Sequence, residues 1–347
     1  MTRVAARFVG CKVSQADGEE ALAALAASGL EPVTAREAAD VVVVHTCCVT
    51  AEAERKSRRL VRRAAAGGTP VVVAGCAAAL RPEQFAAEGV VVAARPDWGR
   101  VADTLSAIES PSAREASTPA PRPAPPATPG ARTRLTLKVQ DGCAGSCAYC
   151  VVRVVRGRPV SVPLRDVLAA ARDGLARGCG EIVLSGIDLG AWRDGGARLP
   201  DLAAALAGLE GLRRLRLSSV EPRHVTPALV GLLRHSRVAR HLHVPLQSAD
   251  DGVLRAMRRP YTFDGYVRAV GGLAGVPGGA MLSTDVIVGY PTEDEAAFAH
   301  AGGAGERPVR TRPRLRVLAA AGDRGRGAAA AADRGGQGAH GARAGGR

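Results

Sequence analysis

Asp141-Gly142-Cys143-Ala144-Gly145-Ser146-Cys147-Ala148-Tyr149-Cys150 places three thiols within eight positions, in the spacing C-x3-C-x2-C. The residues just before it, Leu135–Val139, read as a strand, so the thiols lie on the loop that leaves that strand's C-terminal end. Three thiolates on one tight loop can each hold one iron of a cubane [4Fe–4S] cluster. The fourth iron then has no protein ligand and is open to a substrate or cofactor. Gly142, Gly145 and Ser146 let the loop wrap closely. The alternatives are a zinc loop and buried structural cysteines. A structural zinc takes four ligands, and no fourth Cys or His lies nearby in sequence.

Downstream of the loop, strand-like and helix-like segments alternate. Leu135–Val139, Glu181–Leu184, Arg213–Leu217, Arg240–Val244 and Met281–Val288 read as strands. Pro163–Arg177, Leu199–Leu209, Thr226–Leu233, Ala249–Met257 and Thr262–Leu273 read as helices between them. Five βα units in a row predict a full or partial (β/α) barrel, with its chemistry at the C-terminal strand ends. His241 and His243 alternate along one strand and so share a face.

Upstream of the loop, Pro111–Gly130 carries seven Pro in twenty residues. Pro lacks a backbone donor and fixes φ, so this stretch is an extended linker. Before it, Val4–Val9, Val41–Val44, Val71–Ala74 and Val90–Val92 read as strands alternating with helices at Gly18–Ala27 and Ala51–Ala66. That is the pattern of a parallel sheet with helices on its faces. The fold class is therefore α/β. An open parallel sheet domain is expected over 1–106, a linker over 107–131, a partial barrel over 132–298 and a disordered tail over 299–347.

Five further cysteines stand outside the loop. Cys11, Cys47 and Cys76 each lie just past the end of a predicted strand. In an open parallel sheet those ends share one edge, where ligands gather. These three thiols can converge on a second cluster, again with an open iron; the alternative is three unrelated buried small hydrophobes. Cys48 and Cys179 fit neither triad; Cys179 reads as structural, and Cys48 is ambiguous because it adjoins a ligand.

Composition bounds the rest. The 347 residues carry 47 Lys and Arg against 33 Asp and Glu, a net +14. Residues 299–347 hold ten Arg against three acidic residues, which is half of that excess. The remaining excess is moderate and weakly favours a polyanion partner. No apolar run reaches the roughly 18 residues of a membrane span, and Met1–Lys12 has no signal-like apolar core. A cytoplasmic protein with no membrane contact is expected, and its cysteines are then not a disulfide framework.

The C-x3-C-x2-C loop resembles the signature of the radical S-adenosylmethionine (SAM) superfamily, with Tyr149 as its aromatic beside the last Cys. With Cys11, Cys47 and Cys76 added, the chain resembles the methylthiotransferase family over about residues 3–298. Further matching stretches are 181–190, 217–222, 241–248 and 285–291. Gly10-Cys11-Lys12-Val13 resembles the bacterial branch acting on N6-threonylcarbamoyladenosine in tRNA.

The resemblance implies two [4Fe–4S] clusters and SAM. One SAM donates a methyl group to sulfur at the cluster of Cys11, Cys47 and Cys76. A second SAM, at the cluster of Cys143, Cys147 and Cys150, yields a 5′-deoxyadenosyl radical that removes hydrogen from C2 of adenosine 37. That carbon is not acidic, so acid–base catalysis does not suffice. The resemblance assigns SAM contacts to Tyr149, Gly186, Ser219, Glu221, Gln247, Val288 and Gly289, and no catalytic side chain beyond the cluster ligands.

It also implies a tRNA substrate, a reductant such as flavodoxin or ferredoxin, and a monomer. Basic residues at Arg55, Lys56, Arg58, Arg59, Arg62 and Arg63, and at Arg153, Arg156 and Arg158, are candidates for phosphate contact, or else a solvated face. The alternative substrate is an aspartate of ribosomal protein S12. A truncated, inactive cluster-bearing RNA-binding protein is the alternative of another class.

The sequence departs from the family at His45, where Asn is usual, and at Cys48, where Thr is common. It also lacks a Pro after Cys150, and Ser248-Ala249-Asp250 replaces a Gly-containing stretch. The family's sixth barrel strand and its small β-barrel RNA-binding (TRAM) domain are expected to be absent. The abrupt change after Phe298 suggests a frameshift or a misplaced gene end.

Overall fold

The computed structural model describes residues 2–34, 39–94, 97–109, 134–303 and 314–318. The run of four Val lies in β3 (Val41–Thr46), which is buried along its whole length. A strand without a polar face belongs at the centre of a covered parallel sheet. β3 sits there, between β1 (Arg3–Phe8) and β4 (Val71–Gly75), with β2 (Glu31–Val33) and β5 (Val90–Val92) at the edges. All four pairings are parallel. β2 contains Pro32 and gave no strand signal; an edge strand tolerates a residue that cannot donate.

Helices carry the crossovers. α1 (Lys12–Ala27) begins six residues earlier than predicted, because Cys11 rather than Ser, Thr, Asp or Asn stands at its cap. α2 (Ala51–Ala65) is capped by Thr50, whose hydroxyl accepts from the Ala53 amide at 3.0 Å. α3 (Cys76–Leu80) is a single turn. α4 (Trp98–Glu109) returns along the sheet, its Trp98 ring 5.6 Å from the His45 ring. It runs past residue 106, so the first unit reaches further than predicted. Of the linker expected over 107–131, residues 107–109 belong to α4 and the rest lies outside the described residues.

The second unit is a partial barrel. β6 (Arg134–Asp141), β8 (Glu181–Gly186) and β11 (Arg214–Leu217) pair in parallel, and the short β7 (Val160–Ser161) closes the β6 edge antiparallel. β9 (Arg193–Asp194) and β10 (Ala197–Arg198) form a small separate hairpin. β12 (His241–His243) joins β11 through single bridges and pairs with β13 (Met281–Ile287). The predicted strand 240–244 is shorter here, ending before Pro245.

Between the strands run α5 (Val152–Arg156), α6 (Leu164–Ala176), α7 (Leu199–Ala207), α8 (Pro227–Leu232), α9 (Asp251–Ala256) and α10 (Phe263–Gly271). Alternate strand residues Leu184, Leu215, Leu242 and Leu282 pack with Leu202, Leu206, Leu229 and Val270 of these helices into one core. The intervening strand residues face the concave side.

The chain beyond 298 differs from the expected patternless tail in two places. α11 (Glu295–Gly303) extends five residues into it, and β14 (Arg314–Leu318) pairs in parallel with β13. A sixth parallel barrel strand is therefore present, contrary to expectation. The alternation Leu315-Arg316-Val317 was its only sequence signal. Positions 304–313 and 319–347 lie outside the described residues.

The two units share side-chain contacts. Val151 and Val155, which flank and enter α5, are buried with Val42, Val44, Cys48, Val61 and Phe85 of the first unit. Lys138 of β6 reaches α1, with Nζ 2.5 Å from Asp17 and 3.0 Å from Glu20. No described helix is long and apolar enough to cross a membrane.

Candidate cluster sites

Register brings the first triad together. Phe8 pairs with His45, and Thr46 with Gly75, so Gly10-Cys11, Cys47 and Cys76 all follow immediately past one sheet edge. A Cβ on Gly10 would stand 2.8 Å from the Cys47 sulfur, and φ there is +132°, so this close approach needs glycine. Gly75, at φ +96°, is pressed against the Thr46 backbone, 2.5 Å from where a Cβ would sit. Thr46 Oγ1 donates to the Ala74 carbonyl at 2.7 Å and accepts from the Ala78 amide at 3.0 Å, locking the two thiol-bearing turns to each other.

Cys47 is buried, and burial pushes its thiol up to about 11; the charges of Cys11 and Cys76 also act on it. Cys48 donates to Cys76, which drives the Cys48 thiol up and draws Cys76 down. Cys48 is thus a hydrogen-bonding neighbour of the triad, buried in the first unit's core. Cys11 stands at the N-cap position of α1, with no capping bond from its side chain.

The second triad is built by one loop. Gly142 has φ +69°, and a Cβ there would stand 2.1 Å from the Arg158 carbonyl oxygen, so the loop turns tightly against the strand end. The Gly145 amide donates to Cys143 Sγ at 3.2 Å. The Ala148 amide donates to the Met257 carbonyl at 3.0 Å, tying the loop to the end of α9. Burial raises the Cys143 thiol. Cys150 has an exposed surface, yet its sulfur is crowded enough that desolvation raises it to about 11. Metal or cluster ligation has to displace such protons.

Two side chains that the sequence did not single out hold this loop. Gln140 is 1% exposed. Its Nε2 donates to the carbonyls of Asp141 (2.7 Å) and Gly142 (2.8 Å), and its Oε1 accepts from the Asp188 amide at 2.7 Å. Arg259 donates from Nη1 to Cys147 Sγ at 3.2 Å, from Nε to the Tyr261 hydroxyl at 3.0 Å, and from Nη2 to Glu221. Gln140 also reaches Asp188, 48 positions on, and Arg259 reaches Glu221 and Cys147, 38 and 112 positions back, contacts that leave no local pattern.

The residues assigned to SAM fall at strand ends with different surroundings. Gln247 has φ +70° and a buried Oε1 without a partner. Gly289, at φ +77°, has open space where a Cβ would be, and its amide donates to Glu293 at 2.6 Å. Val288 borders the barrel core. Tyr149 packs beside Val253, Met257 and Ile287, and burial pushes its phenol well up.

Glu221 is engaged by Arg259, and Ser219 is exposed. The neighbouring Ser218 hydroxyl is instead buried and unpartnered, as are Ser185 Oγ and one oxygen of Asp285. At Gly186 a Cβ would meet Gln140 at 3.1 Å, so its smallness serves the Gln140 clamp. His241 and His243 both reach Ser283 Oγ, at 2.8 and 3.0 Å, and His243 also faces Asp285.

The donor sets fit the groups that the sequence implies: two separate thiol triads, and unsatisfied polar atoms near strand ends of the second unit. None of the eight cysteines forms a disulfide. Among the described residues no three His, Cys, Asp or Glu side chains close on one point, as round a single ion. In a cubane each thiolate binds a different iron, so its ligands stand apart. Cys179 lies in the turn ending α6, where its amide donates to the Gly174 carbonyl at 3.1 Å.

Residues 3–94 match the family described as "Uncharacterized protein family UPF0004", and residues 137–301 match the Radical SAM superfamily. Threonylcarbamoyladenosine tRNA methylthiotransferase MtaB of Treponema pallidum is 39% identical over 167 residues, 48% of this chain and 35% of that protein. A tRNA-2-methylthio-N(6)-dimethylallyladenosine synthase of Cereibacter sphaeroides is 32% identical over 305 residues, 83% of this chain and 69% of that protein. The chain thus spans only part of the length of the relatives it matches.

Among solved structures, the radical S-adenosylmethionine methyltransferase TsrM from Kitasatospora setae has a TM-score of 0.60 at 15% identity, covering 88% of this chain and 73% of that one. That likeness concerns the fold alone. Both halves of the sequence, the long match to a relative and the paired thiol triads lead to one conclusion: the chain belongs to the radical SAM methylthiotransferase family.

Proposed function

We propose that this chain is a methylthiotransferase acting on an N6-modified adenosine of tRNA, and that N6-threonylcarbamoyladenosine at position 37 is its substrate. The observation that supports it most is the pair of thiol triads, each at a C-terminal strand edge, with shared side-chain contacts between the units that carry them. The family's cofactors are SAM and two [4Fe–4S] clusters. When bound, they supply the adenosyl radical and the methylated sulfur that a non-acidic C–H bond requires.

The chain's own residues do the holding. Cys143, Cys147 and Cys150 would ligate the SAM cluster, and Cys11, Cys47 and Cys76 the auxiliary one. Gln140 and Arg259 fix the loop of the first set. Gln247 Oε1, Ser185 Oγ and Ser218 Oγ are acceptors available to a polar cofactor, and Gly289 leaves its backbone approachable. The exposed basic residues Arg55, Arg59, Arg62, Arg63, Arg153 and Arg158 are available to phosphates, whereas Lys56 is paired with Glu52, Arg58 is paired with Glu54, and Arg156 is turned inward.

Gly10-Cys11-Lys12-Val13 and the 39% identity to the Treponema relative favour the threonylcarbamoyl substrate. The longer match to the Cereibacter relative favours a second reading, dimethylallyladenosine. Mass spectrometry of tRNA nucleosides from cells with and without the gene separates them. The 2-methylthio derivative of threonylcarbamoyladenosine should depend on the gene. Dependence of the dimethylallyl derivative instead would favour the second reading, and loss of neither would reject both.

A further inference from the structure

Arg156 ends α5, just after the SAM-cluster loop, and its side chain is only 8% exposed. All three guanidinium nitrogens are engaged. Nε donates to Cys76 Sγ at 3.1 Å, across 80 positions of sequence and from one unit to the other. Nη1 donates to both oxygens of Asp141, at 3.1 and 3.0 Å, where β6 enters the SAM-cluster loop. Nη2 donates to Asp17 of α1 at 2.6 Å. One planar group therefore ties a first-unit thiol, a first-unit helix and the base of the second triad together.

We propose that Arg156 is a positioning residue that holds Cys76 toward the auxiliary cluster and sets that cluster's reduction potential from the opposite unit. This rests on the reading that Cys76 is a cluster ligand. Guanidinium stays charged, and its fork is rigid, so the geometry at the sulfur is fixed by Asp17 and Asp141 rather than by a flexible stem. Hydrogen bonds to ligating sulfur and local charge are the protein's main controls on cluster potential. A cationic donor favours the reduced, more negative state and so raises the potential.

Arg259 gives Cys147 the same kind of contact, but its carboxylate partner, Glu221, belongs to its own unit. Arg156 donates to no sulfur of the second triad, which it meets only through Asp141, so removing it should act more strongly on the auxiliary cluster than on the other. Asp17 and Asp141 are the carboxylates facing Arg156, and Lys138, 2.5 Å from Asp17, partly offsets them.

The test uses the full chain, reconstituted without oxygen, as wild type, R156K and R156M. Iron per chain is measured, and each cluster's potential is titrated by paramagnetic resonance. The SAM cluster is recognised as the one whose signal changes on adding SAM. The expected result is wild-type iron in both variants, with the potential of the SAM-insensitive cluster shifted negative. The shift should be larger in R156M than in R156K, which keeps the charge but not the fork, and the SAM-sensitive cluster should shift less.

An unmoved SAM-insensitive potential at full iron content would overturn the proposal. Equal shifts of both clusters, as a general loosening would give, would do the same. If R156M does not load, R156K decides by the same criterion. A wild-type chain with a single cluster would instead overturn the functional reading, and the role of Arg156 would fall with it.

Discussion

Cys143, Cys147 and Cys150 come from eight consecutive positions of one loop, whereas Cys11, Cys47 and Cys76 come from three loops spread over 66 positions. The first set is held by local turns: the left-handed Gly142, the Gly145 amide on Cys143 and the Gln140 clamp. The second set exists only once a parallel sheet has formed in register, because β1, β3 and β4 must end side by side. A loop site depends on a few hydrogen bonds. A sheet-edge site depends on the fold of its whole unit. Both nevertheless meet at α5, which follows the loop thiols, buries Val151 and Val155 in the sheet unit and carries Arg156 to Cys76.

The largest expected effect separates the triads by chemistry. Replacing Cys147 by Ala should abolish 5′-deoxyadenosine formation from SAM, as read by chromatography of the reaction mixture. Replacing Cys11 by Ala should leave that cleavage in place while removing the methylthio product. If Cys11→Ala also abolishes cleavage, the two sites are not separable and the comparison fails.

A smaller effect tests how each site is built. Gly75→Ala places a methyl group 2.5 Å from the Thr46 carbonyl oxygen at a positive φ. Gly142→Ala places one 2.1 Å from the Arg158 carbonyl oxygen. Strain of this kind costs about 1–3 kcal/mol for the backbone conformation alone. Gly75→Ala should lower the melting temperature of the apoprotein, because it strains the sheet. Gly142→Ala should chiefly reduce iron loading of the loop site. The reverse pattern would contradict the distinction between sheet-built and loop-built sites.

The smallest expected effects come from buried hydrogen bonds. Gln140→Leu leaves the Gly142 carbonyl and the Asp188 amide without their partner, a loss of about 1–3 kcal/mol. Thr46→Val removes one donor and one acceptor between β4 and the start of α3, at about 1 kcal/mol for each bond. Denaturant unfolding of the apoproteins measures both. Gln140→Leu should also slow SAM cleavage, and Thr46→Val should not.

Much of this was legible before any coordinates. The Val runs announced central parallel strands, and Cys11, Cys47 and Cys76 were expected just past strand ends, where the fold places them. What stayed hidden was set by distance in the chain. Arg156 read as a candidate phosphate contact and Arg259 as any other arginine, and only the fold brings them to Cys76 and Cys147, 80 and 112 positions away. Gln140 is an ordinary polar residue in a strand until its amide is seen bridging two loops. β2 was masked by Pro32, α3 by its single-turn length, and β14 by the Arg, Gly and Pro around it. Ser219 carried the expected position by motif, yet just past the end of β11 it is the hydroxyl of Ser218 that is buried, and Ser219 is exposed.

Iron and acid-labile sulfide per chain, measured on protein reconstituted without oxygen, test the two-site claim most directly. The expected content is about eight iron, falling to about four when Cys143, Cys147 and Cys150 are all replaced by Ala. About four iron in the unaltered chain, or zinc bound in place of iron, would contradict it.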